Sequence, residues 1–192
     1  METLSFQISF RGPFRVGGAS PDAGLDAPLD RDNPLPGSSL KGLMKARAAE
    51  LVNALSLQDP SVGDPIARIF GSSHQRGSWE WTDAEFPVDP IPSASPHLRV
   101  GERGVAVTGM VRFEEHYWSK TAAFTVIPRP ALARPGDAPL IHAAACAVTT
   151  LGGSRRRGEG WVSIVRCDGT GTEIPWSAED TERLIQLGGG WR

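Results

Sequence analysis

The stretch that decides the fold runs from residue 33 to residue 47 and reads Asn33-Pro34-Leu35-Pro36-Gly37-Ser38-Ser39-Leu40-Lys41-Gly42-Leu43-Met44-Lys45-Ala46-Arg47. Its two prolines restrict the backbone just before Gly37, and this glycine permits a positive φ or a close backbone approach. Ser38 belongs to a residue type that caps helices, so we predict that a helix starts here. Free backbone N–H groups at such a helix start suit an anion.

Two basic segments stand out on a nearly neutral chain. Lys41 and Lys45 lie one helical turn apart and share a face, and Arg47 follows closely. A second run, Arg155-Arg156-Arg157, lies inside a glycine-rich segment. A net charge of -2 does not by itself indicate nucleic acid, but local basic segments fit a protein that binds a polyanion along one face. The plain alternatives are a capped helix and a solvated loop.

The composition indicates an ordinary globular protein. Forty percent of the 192 residues are apolar, which permits a core in one domain. No run approaches the roughly 20 apolar residues of a membrane helix, and the N-terminus lacks the order of a signal peptide, so we expect no membrane partner. Two cysteines are too few for a disulfide framework, which makes a reducing cytoplasm the expected location.

Hydrophobic periodicity predicts alternating strands and helices. The predicted strands cover residues 4–10, 78–86, 117–127 and 161–167. The predicted helices run from 38 to Asp59-Pro60 and cover 65–70, 140–151 and 178–187. The Pro/Ser-rich stretch 87–96 is predicted to be a loop, and 98–113 a β-hairpin or extruded finger.

This order predicts an α+β, ferredoxin-like (RRM-like) fold. Strand, helix, strands, helix, strand is the split βαβ plan, in which helices cover one face of an antiparallel sheet. We expect one domain over residues 1–192, with a long loop over 12–36, an insertion over about 87–113 and a glycine-rich loop over 152–160. The open face of such a sheet is commonly used for RNA.

Several segments, taken in order, resemble one family. Residues 35–42 resemble the motif after the first strand of the repeat-associated mysterious protein (RAMP) superfamily, and residues 151–160 its C-terminal glycine-rich loop. Ile69-Phe70-Gly71-Ser72 matches a short signature after the first helix. Within the superfamily, the run Phe14-Arg15-Val16-Gly17-Gly18, then Leu25-Asp26-Ala27-Pro28 and Asp32, resembles the repeated backbone subunit of type III CRISPR effector complexes.

The resemblance implies a palm with a short inserted thumb, in a subunit that stacks along a guide RNA. The implied partners are guide (CRISPR) RNA, target RNA, other RAMP subunits including copies of this chain, and the large polymerase-like and small subunits of the complex. The predicted RNA-binding residues are Gly37, Ser38, Ser39, Lys41, Lys45, Arg47, Arg99, Arg103, Gly153, Arg155, Arg156 and Arg157. We expect the two glycine-bearing basic segments to form one phosphate-binding edge, and Arg99 and Arg103 to wedge between nucleotides.

Asp26 is the candidate catalytic residue, because the resemblance implies that the aspartate in this position cuts the paired target RNA with a metal ion. RNA supplies its own 2′-OH nucleophile, so cleavage needs in-line geometry, a proton acceptor and compensation of phosphate charge. Asp26 either holds Mg²⁺ through water or acts as the base. Asp22, Asp30 and Asp32 are rival carboxylates, and Asp32 is also placed to orient the turn into Pro34.

Two other functions share these motifs. A non-catalytic RAMP subunit that caps the filament would differ only at Asp26. A RAMP-type guide-processing endonuclease often relies on a His near the first helix, and residues 1–73 contain none. The four histidines are expected to be structural or at the surface: His74, His97, His116 and His142. Trp79, Trp81 and Trp161 are expected to lie in the core.

Overall fold

In the computed structural model of this chain, the residues described are 2–17, 29–55, 63–101, 104–134, 136–153 and 158–187. Their strands are β1 (Leu4–Phe10), β2 (Trp79–Trp81), β3 (Ile91–Val100), β4 (Ala106–Trp118), β5 (Thr121–Pro128) and β6 (Val162–Cys167). Their helices are α1 (Gly37–Ala54), α2 (Pro65–Phe70), α3 (Asp137–Cys146) and α4 (Ala178–Leu187). None of the helices in these ranges is long and apolar enough to cross a membrane.

The main sheet has four antiparallel strands in the order β2-β5-β1-β6. β1 occupies an interior position, where Phe6 pairs with Phe124 of β5 on one side and with Arg166 of β6 on the other. With the β3–β4 hairpin set aside, this is the strand order of the split βαβ unit. The prediction of a ferredoxin-like α+β fold is therefore confirmed.

The core lies between one face of this sheet and the helices α1 and α3. In α1, Leu40, Met44 and Ala48 are buried at a spacing of four residues, which places them on one side of the helix. They meet alternate side chains of the strands, among which the rings of Phe6 and Phe124 stack 5.2 Å apart. We call the sheet together with α1 and α3 the palm.

On the opposite face of the sheet, β1, β5 and β6 carry mostly small, uncharged side chains, and the edge strand β2 adds the exposed carboxylate of Glu80. Strand pairing places the following residues on it: Ser5, Gln7, Ser9, Thr121, Ala123, Thr125, Ser163, Val165 and Cys167. These positions of β1, β5 and β6 include no aromatic ring and no cation. RNA-binding sheets of this fold stack bases on aromatic side chains, and β1, β5 and β6 offer none on this face.

The β3–β4 hairpin is a separate two-stranded ribbon. Along the chain it comes after β2 and before β5, and these two strands pair directly with each other. Its pairs run from Ile91 with Trp118 to Val100 with Ala106, with a register shift after Leu98. The prediction of a loop over 87–96 is therefore wrong from residue 91 onward. Pro92 and Pro96 lie an even number of residues apart, so both ring nitrogens face the same edge of β3. A strand of a two-stranded ribbon has one unpaired edge, and a proline nitrogen that faces this edge removes no hydrogen bond between the strands.

Asp137 determines where α3 begins. Its carboxylate is fully buried at the first residue of the helix and accepts hydrogen bonds from the Arg68 guanidinium and from the Trp79 indole N–H, the latter at 3.0 Å. It also accepts the backbone N–H of Arg134 at 3.0 Å. α3 thus starts three residues earlier than predicted and ends at Cys146 rather than at 151. The predicted strand over 78–86 is likewise reduced to β2.

Replacing Asp137 by alanine should lower the free energy of unfolding by about 3–5 kcal/mol, because it leaves a partly buried Arg68 charge and the Trp79 N–H without a partner. Urea denaturation followed by tryptophan fluorescence measures the loss. Glu50→Ala is the control, since it removes an exposed ion pair with Arg47 and should cost less than about 1 kcal/mol. Similar losses in the two variants would contradict the assigned role of Asp137.

Candidate nucleic-acid interface

The predicted catalytic residue Asp26 lies outside the described residues, as does Asp22. The chain on either side of that segment is fixed, because Gly17 and Leu29 form an antiparallel bridge. Before it, buried Phe14 exchanges backbone hydrogen bonds of 2.8 and 2.9 Å with Tyr117 of β4. The segment that contains Asp26 therefore starts and ends at one place, beside the base of the hairpin.

The chain over residues 29–31 is held by hydrogen bonds to polar side chains of β4. Glu115 is buried and accepts the backbone N–H of Leu29 at 3.3 Å and the Arg31 guanidinium at 2.5 Å. Tyr117, whose phenol has its pKa raised by burial, donates to the carbonyl of Asp30 at 3.0 Å.

The turn into Pro34 is made by Asp30. Its carboxylate accepts the backbone N–H groups of Asp32 at 3.1 Å and Asn33 at 3.0 Å. The expectation that Asp32 orients this turn is therefore wrong. Because Asp30 has a role in local structure, it is the weakest of the rivals to Asp26.

Helix α1 starts differently from the prediction. Pro36 is the N-cap residue, and the backbone N–H of Gly37 donates to the Asp83 carboxylate at 2.7 Å. Ser38 lies inside the first turn, so its predicted capping role is wrong. A Cβ on Gly37 would come within 2.5 Å of the Trp81 carbonyl, so glycine is needed here for close approach to β2. Ser38 remains an exposed residue of the first turn.

The two predicted lysines lie together beside β2. Lys45 donates to the carbonyl of Gly71 at 2.6 Å and so stabilises the C-terminal end of α2. The Lys41 ammonium lies 5.8 Å from the centre of the Trp81 ring. Burial lowers the pKa of Lys41, and the positive charges of Arg129 and Lys45 lower it further. Arg129 thus belongs to this basic cluster.

Arg129 was missed at the sequence level because the Pro128-Arg129-Pro130 run indicates only the end of a strand. The sequence could have indicated Arg129 only through the strand order: once β5 is paired with β2, the residue that follows β5 lies near the lysines beside β2. Arg47, in contrast, was predicted to belong to the cluster but is not brought to it. It lies two residues after Lys45, which places it across the helix, and it pairs with Glu50 at 2.6 Å.

The described ends of the glycine-rich loop are held against the chain that leaves β1. Gly152 has φ +76°, and a Cβ there would lie 2.0 Å from the carbonyl oxygen of Arg15. The backbone N–H of Gly153 donates to that same oxygen at 2.8 Å, and that of Gly160 donates to Pro13 at 2.7 Å. Arg155, Arg156 and Arg157 lie outside the described residues.

These pieces meet in one groove of about 290 Å³ at the N-terminal half of α1. We call it the α1 groove; it is lined by Val16, Leu35, Ser38, Ser39, Gly42, Leu43 and Gly152. The structure therefore places the start of α1 beside the start of the glycine-rich loop, as the sequence led us to expect. Whether RNA contacts these residues stays a prediction.

The remaining candidates lie away from the α1 groove. Arg99 is near the end of β3 that is farthest from the palm, and Arg103 is outside the described residues. Trp79 and Trp81 are in the core as expected, whereas Trp161 is half exposed, so its prediction as a core residue is wrong.

The histidines and acidic side chains form no metal centre in the described ranges. Within them, no three His, Cys, Asp or Glu side chains lie close enough to hold a metal ion. His142 is buried beneath the ring of Trp176, 5.1 Å away, and burial lowers its pKa. His97 lies 3.5 Å from Glu114 on the hairpin.

Comparison with known proteins yields a match in fold. No family model matches the sequence, and no curated protein matches it. A chain of the cryo-EM structure of the Type III-B Cmr-beta bound to cognate target RNA has a similar fold, with a TM-score of 0.61 and 14% sequence identity. The match covers 84% of this chain and 58% of that one, so this chain spans little more than half the length of its structural neighbour.

Replacing Gly152 by alanine should destabilise the protein about 2 kcal/mol more than replacing Gly158 by alanine. Both glycines have positive φ values, +76° and +87°, so both variants carry similar backbone strain. Only at Gly152 does the new Cβ meet backbone, and such overpacking typically costs 1–3 kcal/mol. Urea denaturation of the matched pair measures the difference; equal losses would show that the contact with Arg15 is unimportant.

Proposed function

We propose that this protein is an RNA-binding subunit of a type III CRISPR ribonucleoprotein, with the backbone of the guide RNA running along the α1 groove. The observation that carries the proposal is the meeting of three segments at that groove: the chain after β1, the start of α1 and the glycine-rich loop. The similarity in fold to a chain of a type III-B complex bound to target RNA supports RNA and other subunits of the complex as partners.

The groove suits a nucleic-acid backbone rather than a particular base sequence. Glycines let a phosphate approach the main chain closely, and the exposed first turn of α1 adds Ser38 and Ser39. Lys41 and Lys45 lie on α1 beside β2, with Arg129 near Lys41. In sequence, the Arg155–Arg157 run follows Gly152, which lines the groove. Guide sequences differ from one another, so a subunit that holds them needs contacts to the shared phosphates.

We further propose that Asp26 cuts the target RNA paired with the guide. The support is positional, since the segment bearing Asp26 begins at Gly17 and ends at Leu29, next to the glycine-rich loop. The 2′-OH attacks the adjacent phosphate and forms a 2′,3′-cyclic phosphate while the bond from phosphorus to the 5′-oxygen breaks, and the leaving 5′-oxygen takes a proton from water. Asp26 would either take the proton of the 2′-OH or hold, through water, a Mg²⁺ ion that offsets the phosphate charge. Copies of this chain and the large and small subunits of the complex complete the proposed assembly.

The full-length protein should bind single-stranded RNA at low salt, with an affinity that falls steeply as salt rises. Replacing Arg155, Arg156 and Arg157 together by alanine should reduce the slope of log K against log [salt] by about 2, at about 0.7 per lost phosphate contact. Fluorescence anisotropy over a salt series measures both. Arg183→Ala is the control, because Arg183 pairs with Glu179 on the exposed face of α4. A wild-type protein that binds no RNA at low salt would refute the proposed function.

Asp26→Asn in the assembled complex should slow the cutting of target RNA at least about 100-fold while leaving guide binding unchanged. Gel analysis of labelled target RNA measures the rate, and Asp22→Asn and Asp32→Asn serve as matched controls within the same loop. Cutting at the wild-type rate by the Asp26 variant would overturn the assignment to Asp26, and a loss in the Asp22 or Asp32 variant would move the role to that rival carboxylate. Wild-type rates in all three variants would mean that the chain is a non-catalytic structural subunit.

A further inference from the structure

The Arg15 side chain lies between the two loops that carry the proposed function. Its Nη2 is 3.9 Å from the position of a Cβ on Gly17, and its Nη1 is 3.8 Å from that on Gly153. Gly17 immediately precedes residues 18–28, which contain Asp26, and Gly153 immediately precedes residues 154–157, which contain the arginine run. The guanidinium therefore stands where both loops leave the palm.

This guanidinium is not used by the fold. Its Nε is buried and has no hydrogen-bond partner, and no described side chain forms an ion pair with it. The contacts that Arg15 contributes to the fold come from its backbone, whose carbonyl accepts the N–H of Gly153 at 2.8 Å and lies against Gly152. Any residue supplies that carbonyl, so the cation itself has some other role.

Two other arginines have a buried, unpartnered Nε, but both have acidic neighbours. Arg129 pairs with Glu80 at 2.9 Å, and Arg166 lines a cavity together with Glu2 and Asp180. The α1 groove beside Arg15 is lined by no acidic side chain. Among these three, Arg15 is thus the one whose charge is left uncompensated by the described residues, and a buried donor on a cation is costly unless an anion meets it.

We propose that the Arg15 guanidinium binds one phosphodiester of RNA at the point where the two loops leave the palm. The planar guanidinium fork matches the oxygens of a phosphate. The glycines on both sides have no side chains that would keep an RNA backbone away. The inference rests on the proposed function and adds to it a specific contact, whose phosphate belongs either to the guide or to the target strand.

The test compares Arg15→Gln, Arg15→Lys and the control Arg166→Gln in the full-length protein. Binding of a labelled single-stranded guide RNA, and of the same guide paired with its target, is measured by fluorescence anisotropy over a salt series. Arg15→Gln should bind about tenfold more weakly and lower the salt slope by about 0.7 to 0.9, the value for one phosphate. Arg15→Lys should keep the slope with a smaller loss, and Arg166→Gln should match wild type.

Comparison of the guide alone with the guide paired to its target identifies the strand that provides the phosphate. A loss already present with the guide alone assigns the phosphate to the guide, and a loss seen only with paired target assigns it to the target. Wild-type affinity and slope in both arms for Arg15→Gln overturn the inference and leave the proposed function standing, since wild type still binds. Absence of binding by wild type refutes the proposed function instead.

A second measurement covers the case in which Arg15→Gln unfolds. Phenylglyoxal modifies accessible arginines, and mass spectrometry of the wild-type protein reports each site. RNA should protect Arg15 several-fold while leaving Arg183 on α4 unchanged. Equal modification of Arg15 with and without RNA overturns the inference.

Discussion

The arrangement of this protein depends on one backbone contact, between the carbonyl of Arg15 and Gly152. No side chain fits at Gly152, where a Cβ would lie 2.0 Å from that oxygen, and the same oxygen accepts the N–H of Gly153. The contact joins the chain leaving the first strand to the chain approaching the last one. Because α1 starts beside the same point, three segments far apart in sequence form one groove.

The cations described here lie beside the edge strand β2 and the glycine-rich loop, and not on the open face of the sheet. On the open face, β1, β5 and β6 present no aromatic ring and no cation, and β2 adds the carboxylate of Glu80, so these strands offer neither stacking nor attraction to phosphates. Cations lie elsewhere on the palm: Lys41 is near Arg129 beside the edge strand β2, and Arg15 is beside Gly152, which lines the α1 groove. A net charge of -2 is therefore compatible with a local polyanion site.

The sequence predicted the parts of the fold that rest on local patterns. The alternation in β1, the spacing in α1 and the bounds of α4 agree with the structure, and the order of elements was enough for the ferredoxin-like plan. Two of the failures involve distant partners: Asp83 bonds the α1 start in place of Ser38, and Asp137 lengthens α3 towards Arg68 and Trp79. The hairpin was missed over Pro92 and Pro96 because proline disfavours a strand unless its nitrogen faces away from the partner.

The same reasoning separates the polar groups that fold the protein from those left for a ligand. Lys45 and Asp30 were candidate ligand groups in the sequence, yet each is engaged in the structure by backbone atoms. In contrast, the buried Nε of Arg15 has no hydrogen-bond partner, and the Nη atoms of that guanidinium lie beside Gly17 and Gly153. A cation with an unpartnered buried donor, beside glycines that admit a close approach, is the basis of our proposal that an anion from outside binds there.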